Sequence, residues 1–197
     1  MMRSIIALLF LSLASISLAQ DSSNIRTAIF AGGCFWCMEP PFDKVDGVLE
    51  TTSGYSGGHV KNPTYEQVSS GGTGHAEVVQ VKYDANKVSY SDLLNIFWHN
   101  VDPFDSGGQF CDRGDQYRAE IFYGNQEEKV LAEESKKKVE AELGKKVVTQ
   151  IKPAATIYPA EAYHQDYYQR NPLRYKYYRY RCGRDKRLEE VWGKAPS

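Results

Sequence analysis

Apolar and polar residues alternate most regularly over residues 75–83 (HAEVVQVKY). Successive side chains of a strand point to opposite faces, so Glu77, Val79, Val81 and Tyr83 share one face. Short apolar or β-branched runs bounded by turn residues are typical of further strands. In chain order, the pattern predicts strands at 27–31, 48–54, 75–83, 119–123 and 147–151.

Other segments have the spacing of helices, with apolar residues three or four positions apart. Ser89 can cap one such helix, and residues 126–143 predict a longer, charged amphipathic helix. Shorter helical segments are predicted from Cys34 onward and over 163–168, and a short turn that could hold the Tyr65 ring is predicted over 64–69. We expect Pro40 and Pro41 to end or kink the first of these, because proline removes a backbone donor.

Length and composition place these elements in one domain over 20–197. The chain has 197 residues, 42% of them hydrophobic, and a formal net charge of −1. This balance argues against a nucleic-acid partner, although basic residues and tyrosines alternate in the tail, 173–197. We expect the tail to wrap over the domain and the protein to be a monomer.

Residues 1–19 differ in kind from the rest. Arg3 precedes an apolar run, and the sequence Ser-Leu-Ala at 17–19 fits a cleavage site between small residues. The pattern is typical of a secretory signal peptide removed after Ala19. An uncleaved anchor is the alternative, but the run is shorter than the ~20 residues of a spanning helix. We therefore expect an exported protein, periplasmic or secreted, without stable membrane association after signal removal.

The four cysteines are Cys34, Cys37, Cys111 and Cys182. In an exported protein they allow three full pairings as structural disulfides. A four-thiolate zinc site usually has two close pairs of cysteines, and only Cys34 and Cys37 are close here, so neither a metal nor another cofactor is expected. A redox function of this Cys-x-x-Cys pair is favoured.

Cys34 follows two glycines at the predicted junction of the first strand and the first helix. Free N–H groups and the helix dipole favour an anion at a helix N-terminus. We therefore expect the pKa of the Cys34 thiol to lie below its ordinary value of about 8.5, as a nucleophile requires. Phe35 and Trp36 beside the thiol supply an aromatic wall suited to a methyl or thioether group.

Glu77 begins the apolar face of the 75–83 strand. Burial at that position raises the pKa of a carboxyl group and keeps it protonated at neutral pH. A solvent-exposed glutamate at a strand end is the open alternative.

Five ordered motifs resemble the type A peptide methionine sulfoxide reductases. They are Gly33-Cys34-Phe35-Trp36, 54–58 (GYSGG), 62–65 (NPTY), 74–77 (GHAE) and 112–118 (DRGDQYR). The resemblance covers about 27–172 and implies an α+β fold: a two-layer α/β sandwich with a ferredoxin-like core, a mixed sheet and long glycine-rich loops. It also implies reduction of the S epimer of methionine sulfoxide, free or in oxidised proteins.

The resemblance also implies the residues of the site. These are the nucleophile Cys34, the acid Glu77, Tyr65 and Tyr117 around the sulfoxide oxygen, Asp112 as organiser of that site, Phe35 and Trp36 around the substrate methyl group, and His164 near the active site. The chemistry agrees, because a sulfoxide sulfur is a poor electrophile until its oxygen is protonated or strongly hydrogen-bonded.

The cysteines depart from the commonest pattern of this family. Cys37 stands where many members have glycine, and the tail around Cys182 is basic rather than glycine-rich. A sulfenic acid on Cys34 would condense with a second thiol, and a thioredoxin-like dithiol would reduce the resulting disulfide. We favour Cys37 as this resolving thiol because it is close, with Cys182 as the alternative or as a second, relaying thiol. Cys111 is expected to be a buried bystander.

Two other functions fit parts of the sequence. A thioredoxin-type oxidoreductase explains the Cys-x-x-Cys pair but not Glu77, Tyr65 and Tyr117, and the usual Gly-Pro between the cysteines is missing. A secreted binding module would be stapled by disulfides Cys34–Cys37 and Cys111–Cys182. Production of methionine from its sulfoxide separates the reductase from both.

Overall fold

The computed structural model of the protein describes residues 24–193. The main strands are β1 (Ile25–Gly32), β2 (Val48–Ser56), β3 (Ala76–Asp84), β6 (Ala119–Tyr123) and β7 (Gln150–Pro153), and three short ones are β4 (Gly108–Gln109), β5 (Asp112–Arg113) and β8 (Tyr158–Pro159). The helices are α1 (Phe35–Asp43), α2 (Tyr65–Ser69), α3 (Tyr90–Trp98), α4 (Gln126–Leu143), α5 (Tyr167–Arg170), α6 (Pro172–Arg181) and α7 (Arg184–Trp192). The signal peptide predicted over 1–19 lies outside the described residues.

Six strands form one sheet in the order β7-β6-β1-β3-β2-β8. The central four, β6-β1-β3-β2, pair with one another in antiparallel fashion. With α1 between β1 and β2 and α3 between β3 and β6, this connectivity is that of a ferredoxin-like core. Strand β7 pairs in parallel with β6, which makes the sheet mixed. The predicted α+β fold class is confirmed.

The main hydrophobic core lies on one face of the sheet, under the helices. Phe30 of β1 and Phe42 of α1 stack with 5.2 Å between ring centroids, and Phe30 also stacks on Phe97 of α3. The opposite face carries a smaller cluster, Ile29, Ala31, Ala76, Val78 and Phe122, with Ile157 packed against it. The domain is therefore built of two layers.

Strand β3 has the predicted two faces. Glu77, Val79, Val81 and Tyr83 are each at most 2% exposed, so this row lies in the core. On the other face Lys82 is exposed. The sequence pattern thus placed Glu77 correctly, at the start of a buried row.

The first helix does not end at Pro40 and Pro41, which was one of the two predicted outcomes; the predicted kink stays a prediction. Helix α1 continues through both prolines to Asp43. Each proline removes one intrahelical hydrogen bond, but Met38 and Phe42 on either side of them are at most 1% exposed. Burial of these side chains holds the helical turn that the local sequence disfavours.

Two further predictions were misplaced along the chain. The strand predicted at 147–151 is β7, which begins at Gln150, because the preceding N–H groups bond outside the sheet: that of Val147 to Glu140 Oε1 at 3.1 Å, and that of Val148 to the Pro103 carbonyl at 2.8 Å. The helix predicted at 163–168 begins only at Tyr167, because Asp166 has a φ of 52°.

The tail forms two helices, α6 and α7, separated at Gly183 by a φ of 69°. Cys182 ends α6 and forms a disulfide with Cys111. Cys111 is exposed and oxidised, so the prediction of a buried bystander thiol was wrong. Within residues 24–193, no helix has the length and apolar character that crossing a bilayer requires.

Candidate active site

Cys34 lies at the sharp turn where β1 ends and α1 begins. It is the N-cap residue of α1. Gly33 before it has a φ of 86°, and a Cβ atom there would lie 2.6 Å from Cβ of Gln109. Only glycine satisfies both the backbone conformation and this close approach. The Gly-Gly-Cys motif therefore fixes where the thiol sits.

The side chain of Glu77, a residue of β3, lies at the N-terminus of α1. The Phe35 N–H donates to Glu77 Oε2 at 3.0 Å, and the side chain is 2% exposed. Burial raises the pKa of the Glu77 carboxyl to about 8, although the Phe35 N–H opposes this shift. The predicted neutral acid is therefore present at pH 7, with its second oxygen free to carry the proton.

The expected low pKa of the Cys34 thiol was wrong for the free protein. Burial raises it well above the ordinary value, and the hydrogen bond to Cys37 and the carboxyl of Glu77 raise it further. The main physical reason is desolvation of the buried thiol, and the first N–H of α1, which could have stabilised an anion on Cys34, is donated to Glu77 instead. Desolvation of the thiolate then outweighs the helix dipole.

Cys37 is the more acidic partner of the pair. A hydrogen bond from the Cys34 thiol lowers the pKa of Cys37 to about 7, and the positive charges of Arg184 and Arg179 act in the same direction. The Cys37 N–H donates to the Cys34 carbonyl at 3.0 Å, which closes one tight helical turn between the two residues. Both cysteines are free thiols. The pair therefore loses one of its two protons near neutral pH, and the remaining proton lies in the hydrogen bond from Cys34 to Cys37.

Tyr65 and Tyr117 bring two phenol groups to the same carboxyl. Tyr65 begins α2, whose N-terminus is held by a capping box on Thr64, and its N–H donates to Glu161 Oε1 at 2.8 Å. The Tyr117 hydroxyl lies close enough to that of Tyr65 to influence its pKa. Burial, and then the nearby Glu77, raise the pKa of Tyr65 to about 12 and that of Tyr117 still higher. Both phenols therefore stay protonated as hydrogen-bond donors.

Trp36, which is half-buried, forms the aromatic wall together with His164. Its indole N–H donates to His164 Nδ1 at 3.0 Å, and its ring stacks on Tyr167 at 3.6 Å between centroids. His164 is 1% exposed, and burial lowers its pKa, so the imidazole is a neutral acceptor for Trp36. The Phe35 ring lies 4.9 Å from that of His164 and is fully inside the core.

Asp112 accepts a hydrogen bond from a residue of the tail. The Tyr178 hydroxyl of α6 donates to Asp112 Oδ2 at 2.5 Å, and the edge of the Tyr178 ring meets Trp36 at 5.8 Å. Burial raises the pKa of Asp112. The sequence analysis missed Tyr178, Tyr167 and Glu161. The alternation of tyrosines in the tail was the available signal for Tyr178, but it did not indicate what that residue contacts.

The structure brings the predicted site residues together, with one exception among the cysteines. The shared environment comprises Cys34, Phe35, Trp36, Cys37, Tyr65, Glu77, Asp112, Tyr117 and His164. Cys182 is not a free thiol beside Cys34, because its sulfur is bonded to Cys111. That pairing was foreseen only as part of the binding-module alternative.

Comparison with known proteins agrees with this geometry. A sequence model of the family described as peptide methionine sulfoxide reductase matches residues 26–196. The Rhizobium meliloti protein named peptide methionine sulfoxide reductase MsrA 2 is 50% identical over 184 residues, covering 93% of this chain and 92% of its own.

Solved structures show the same fold. The reduced form of Mxr1 from Saccharomyces cerevisiae superimposes with a TM-score of 0.73 at 31% identity, covering 77% of this chain and 88% of that one. Mxr1 in complex with Trx2 superimposes with a TM-score of 0.53 at 23% identity, covering 79% and 94%. Since a near full-length relative shares half of its residues and a family model spans almost the whole described domain, the chain belongs to the peptide methionine sulfoxide reductases and is a reductase of the S epimer of methionine sulfoxide.

Proposed function

We propose that Cys34 attacks the sulfoxide sulfur while Glu77 protonates the sulfoxide oxygen. The observation that carries this assignment is the contact of the neutral Glu77 carboxyl with the first N–H of α1, directly after Cys34. It sets an acid and a thiol at one helix mouth, with two phenols beside them. This combination of a thiol, a neutral carboxyl and two phenols suits the reduction of a polar S=O group.

The proton of the Cys34 thiol is transferred to the Cys37 thiolate. The thiolate of the pair forms first on Cys37, and the hydrogen bond from Cys34 lets the proton cross to Cys37 as substrate binds. The Cys34 thiolate, one proton from Glu77 and the sulfoxide then give a Cys34 sulfenic acid and methionine. Two electrons pass from the Cys34 sulfur to the substrate sulfur, and the oxygen moves in the opposite direction, from the substrate sulfur to Cys34.

Cys37 is the resolving thiol. Its sulfur displaces water from the Cys34 sulfenic acid, which forms the Cys34–Cys37 disulfide. Support comes from the single helical turn that joins the two residues and from the disulfide that already occupies Cys182. A thioredoxin-like dithiol then reduces the Cys34–Cys37 disulfide by thiol–disulfide exchange and is itself oxidised. Mxr1, which shares the fold, has been solved with such a partner, Trx2.

The place of action is outside the cytoplasm. This part of the proposal rests on the signal-peptide pattern of residues 1–19. A stable Cys111–Cys182 disulfide agrees with an oxidising compartment. The enzyme would there repair oxidised exported proteins and also accept free methionine sulfoxide.

Mass spectrometry of a single turnover tests the assignment of the thiols. Protein with an intact Cys111–Cys182 disulfide is given methionine S-sulfoxide without reductant, and free thiols are then alkylated. Tryptic cleavage after Arg26 and Lys44 leaves Cys34 and Cys37 in one peptide, which should lose two hydrogens and gain no label. A peptide containing Cys34 linked to Cys182 would instead assign the resolving step to the tail.

Variants complete the test. Cys34→Ser should release no methionine, and Cys37→Ser should release one equivalent and retain a sulfenic acid that dimedone traps. The matched control is the double variant Cys111→Ser/Cys182→Ser, which should still form the Cys34–Cys37 disulfide. Normal recycling of Cys37→Ser by a thioredoxin would contradict the proposal.

A further inference from the structure

Arg184, the first residue of α7, is buried directly behind the Cys-x-x-Cys turn. Its side chain has 0% exposure. Nη2 donates to the Asn100 carbonyl at 2.6 Å and to the Gly32 carbonyl at 3.1 Å, and it lies 3.0 Å from Met38 Sδ. The tail therefore places one buried cation against Gly32, Met38 and Asn100.

This cation has no fixed counterion. Among residues 24–193, no carboxylate oxygen lies within ion-pair distance of Arg184, and its Nε and Nη1 atoms are buried without a hydrogen-bond partner. Its guanidinium lies 4.3 Å above the Phe110 ring, which compensates only part of the charge. An uncompensated buried charge is strongly destabilising, so a cation at this position favours an anion beside it.

The nearest groups that can become anionic belong to the active site. Nη1 lies 3.6 Å from the position of a Cβ on Gly33, the residue before Cys34, and Nη2 contacts Met38, the residue after Cys37. Met38 Sδ itself lies 2.6 Å from the position of a Cβ on Gly32, so these contacts place the guanidinium against the Gly32-Gly33 end of the turn. We propose that Arg184 is a positioning residue of this reductase: its buried charge is the counterion of the thiolate that the Cys34/Cys37 pair forms during turnover.

The surrounding charges fit this assignment. The titratable groups that face Cys37 are Cys34, Glu77, Asp112, Tyr175, Tyr178, Arg179 and Arg184. The Asp112 carboxyl opposes a thiolate on Cys37, whereas the hydrogen bond from Cys34 and the positive charges of the two arginines favour it. Arg179 already pairs with Asp185, whereas Arg184 has no such partner. Arg184 is therefore the cation that remains available to the thiolate.

The tail holds Arg184 in place from both sides. Two residues earlier, Cys182 is bonded to Cys111. Three residues later, Arg187 Nε donates to Asp102 Oδ2 at 2.7 Å, and the Trp192 indole N–H donates to the Val101 carbonyl at 3.0 Å. These contacts anchor the helix without using the guanidinium of Arg184. They also provide a matched control, Arg187→Met, which loosens α7 but leaves the charge behind the cysteines.

The experiment measures the rate of alkylation of Cys37 by iodoacetamide from pH 5 to 10, with the labelled residue assigned by peptide mass spectrometry. Arg184→Gln keeps a hydrogen-bond donor for the Gly32 and Asn100 carbonyls but removes the charge. We expect it to slow alkylation at pH 7 about fivefold, the effect at that pH of raising a midpoint near 7 by one unit. Arg184→Lys keeps the charge but loses the planar fork, and it should react within about twofold of the wild type.

A purely structural role of Arg184 predicts the opposite order, with the glutamine variant normal and the lysine variant impaired. That order, or equal pH profiles for Arg184→Gln and Arg187→Met, would overturn the proposal. So would failure of the neutral variant to fold, judged by circular dichroism and an intact Cys111–Cys182 disulfide. The inference rests on the proposed role of Cys37, but alkylation needs no turnover, so the two can fail separately.

Discussion

The hydroxyl of Tyr178 donates a 2.5 Å hydrogen bond to Oδ2 of Asp112, and this contact joins the tail to the catalytic loop. The same ring touches Trp36 with its edge. A helix of the tail, α6, therefore forms one wall of the site although none of its residues is buried. Asp112, the predicted organiser of the site, is therefore held by a residue of the tail.

Tyr178→Phe removes this hydrogen bond and little else. Loss of a bond to a carboxylate costs about 1–2 kcal/mol, so we expect kcat/KM for a methionine sulfoxide peptide to fall roughly fivefold to thirtyfold. The measurement is steady-state turnover with dithiothreitol as reductant. Tyr180→Phe is the control, because Tyr180 lies on the same helix and is 81% exposed. Equal rates for the two variants would remove Tyr178 from the site.

Glu77→Gln should slow the reductive step by about 10²–10⁴-fold, because glutamine is isosteric but does not protonate the sulfoxide oxygen. The wild-type rate should also fall as the pH rises through about 8, where the Glu77 carboxyl loses its proton. The variant should lack this alkaline decline. Single-turnover release of methionine between pH 6 and 9 checks both points. A decline of the same shape in the variant would show that another group is responsible.

The variant Glu39→Gln tests whether a buried, neutral carboxyl changes the pH dependence of stability without contributing to catalysis. Glu39 of α1 is 1% exposed, it accepts from Ser53 Oγ at 3.1 Å, and burial raises its pKa to about 8. The folded state therefore binds this proton more tightly than the unfolded chain, whose glutamates titrate near 4.3. The stability from this proton is complete below pH 4.3, decreases as the pH rises, and is lost above about 8.

The variant should consequently gain stability relative to the wild type as the pH rises from 5 to 9. Urea unfolding at these two pH values measures the difference in unfolding free energy. Methionine sulfoxide reduction at pH 7 should be unchanged, since Glu39 bonds to β2 rather than to the site. An equal difference at pH 5 and pH 9 would mean that the carboxyl is not neutral in the folded protein.

The sequence predicted the parts of this molecule that local pattern controls. Strand β3 with Glu77 inward and helix α4 with its bounds at Gln126 and Leu143 follow from periodicity alone. The continuation of α1 through Pro40 and Pro41 does not, because packing of Phe42 on Phe30 decides it. Likewise, the acidity of the two thiols depends on which group takes the first N–H of α1, and that group is 42 residues away from Phe35.

The disulfide is the clearest case of a feature set by the fold. Four cysteines allow several pairings, and only the docking of α6 brings Cys182 to Cys111, 71 residues apart in sequence. Closing a loop of this length restricts the unfolded chain, so Cys111→Ser/Cys182→Ser should lower the unfolding free energy by about 2–4 kcal/mol. Chemical unfolding without reductant measures this loss.

The same double variant should also reduce methionine sulfoxide more slowly, because a loosened α6 no longer holds Tyr178 on Asp112. We expect its deficit in kcat/KM to resemble that of Tyr178→Phe, and the triple variant to be no slower than the double one. Turnover measured well below the unfolding midpoint keeps stability out of the comparison. If the deficits of the disulfide and of Tyr178 multiply instead, the disulfide acts on the site by a route other than this hydrogen bond.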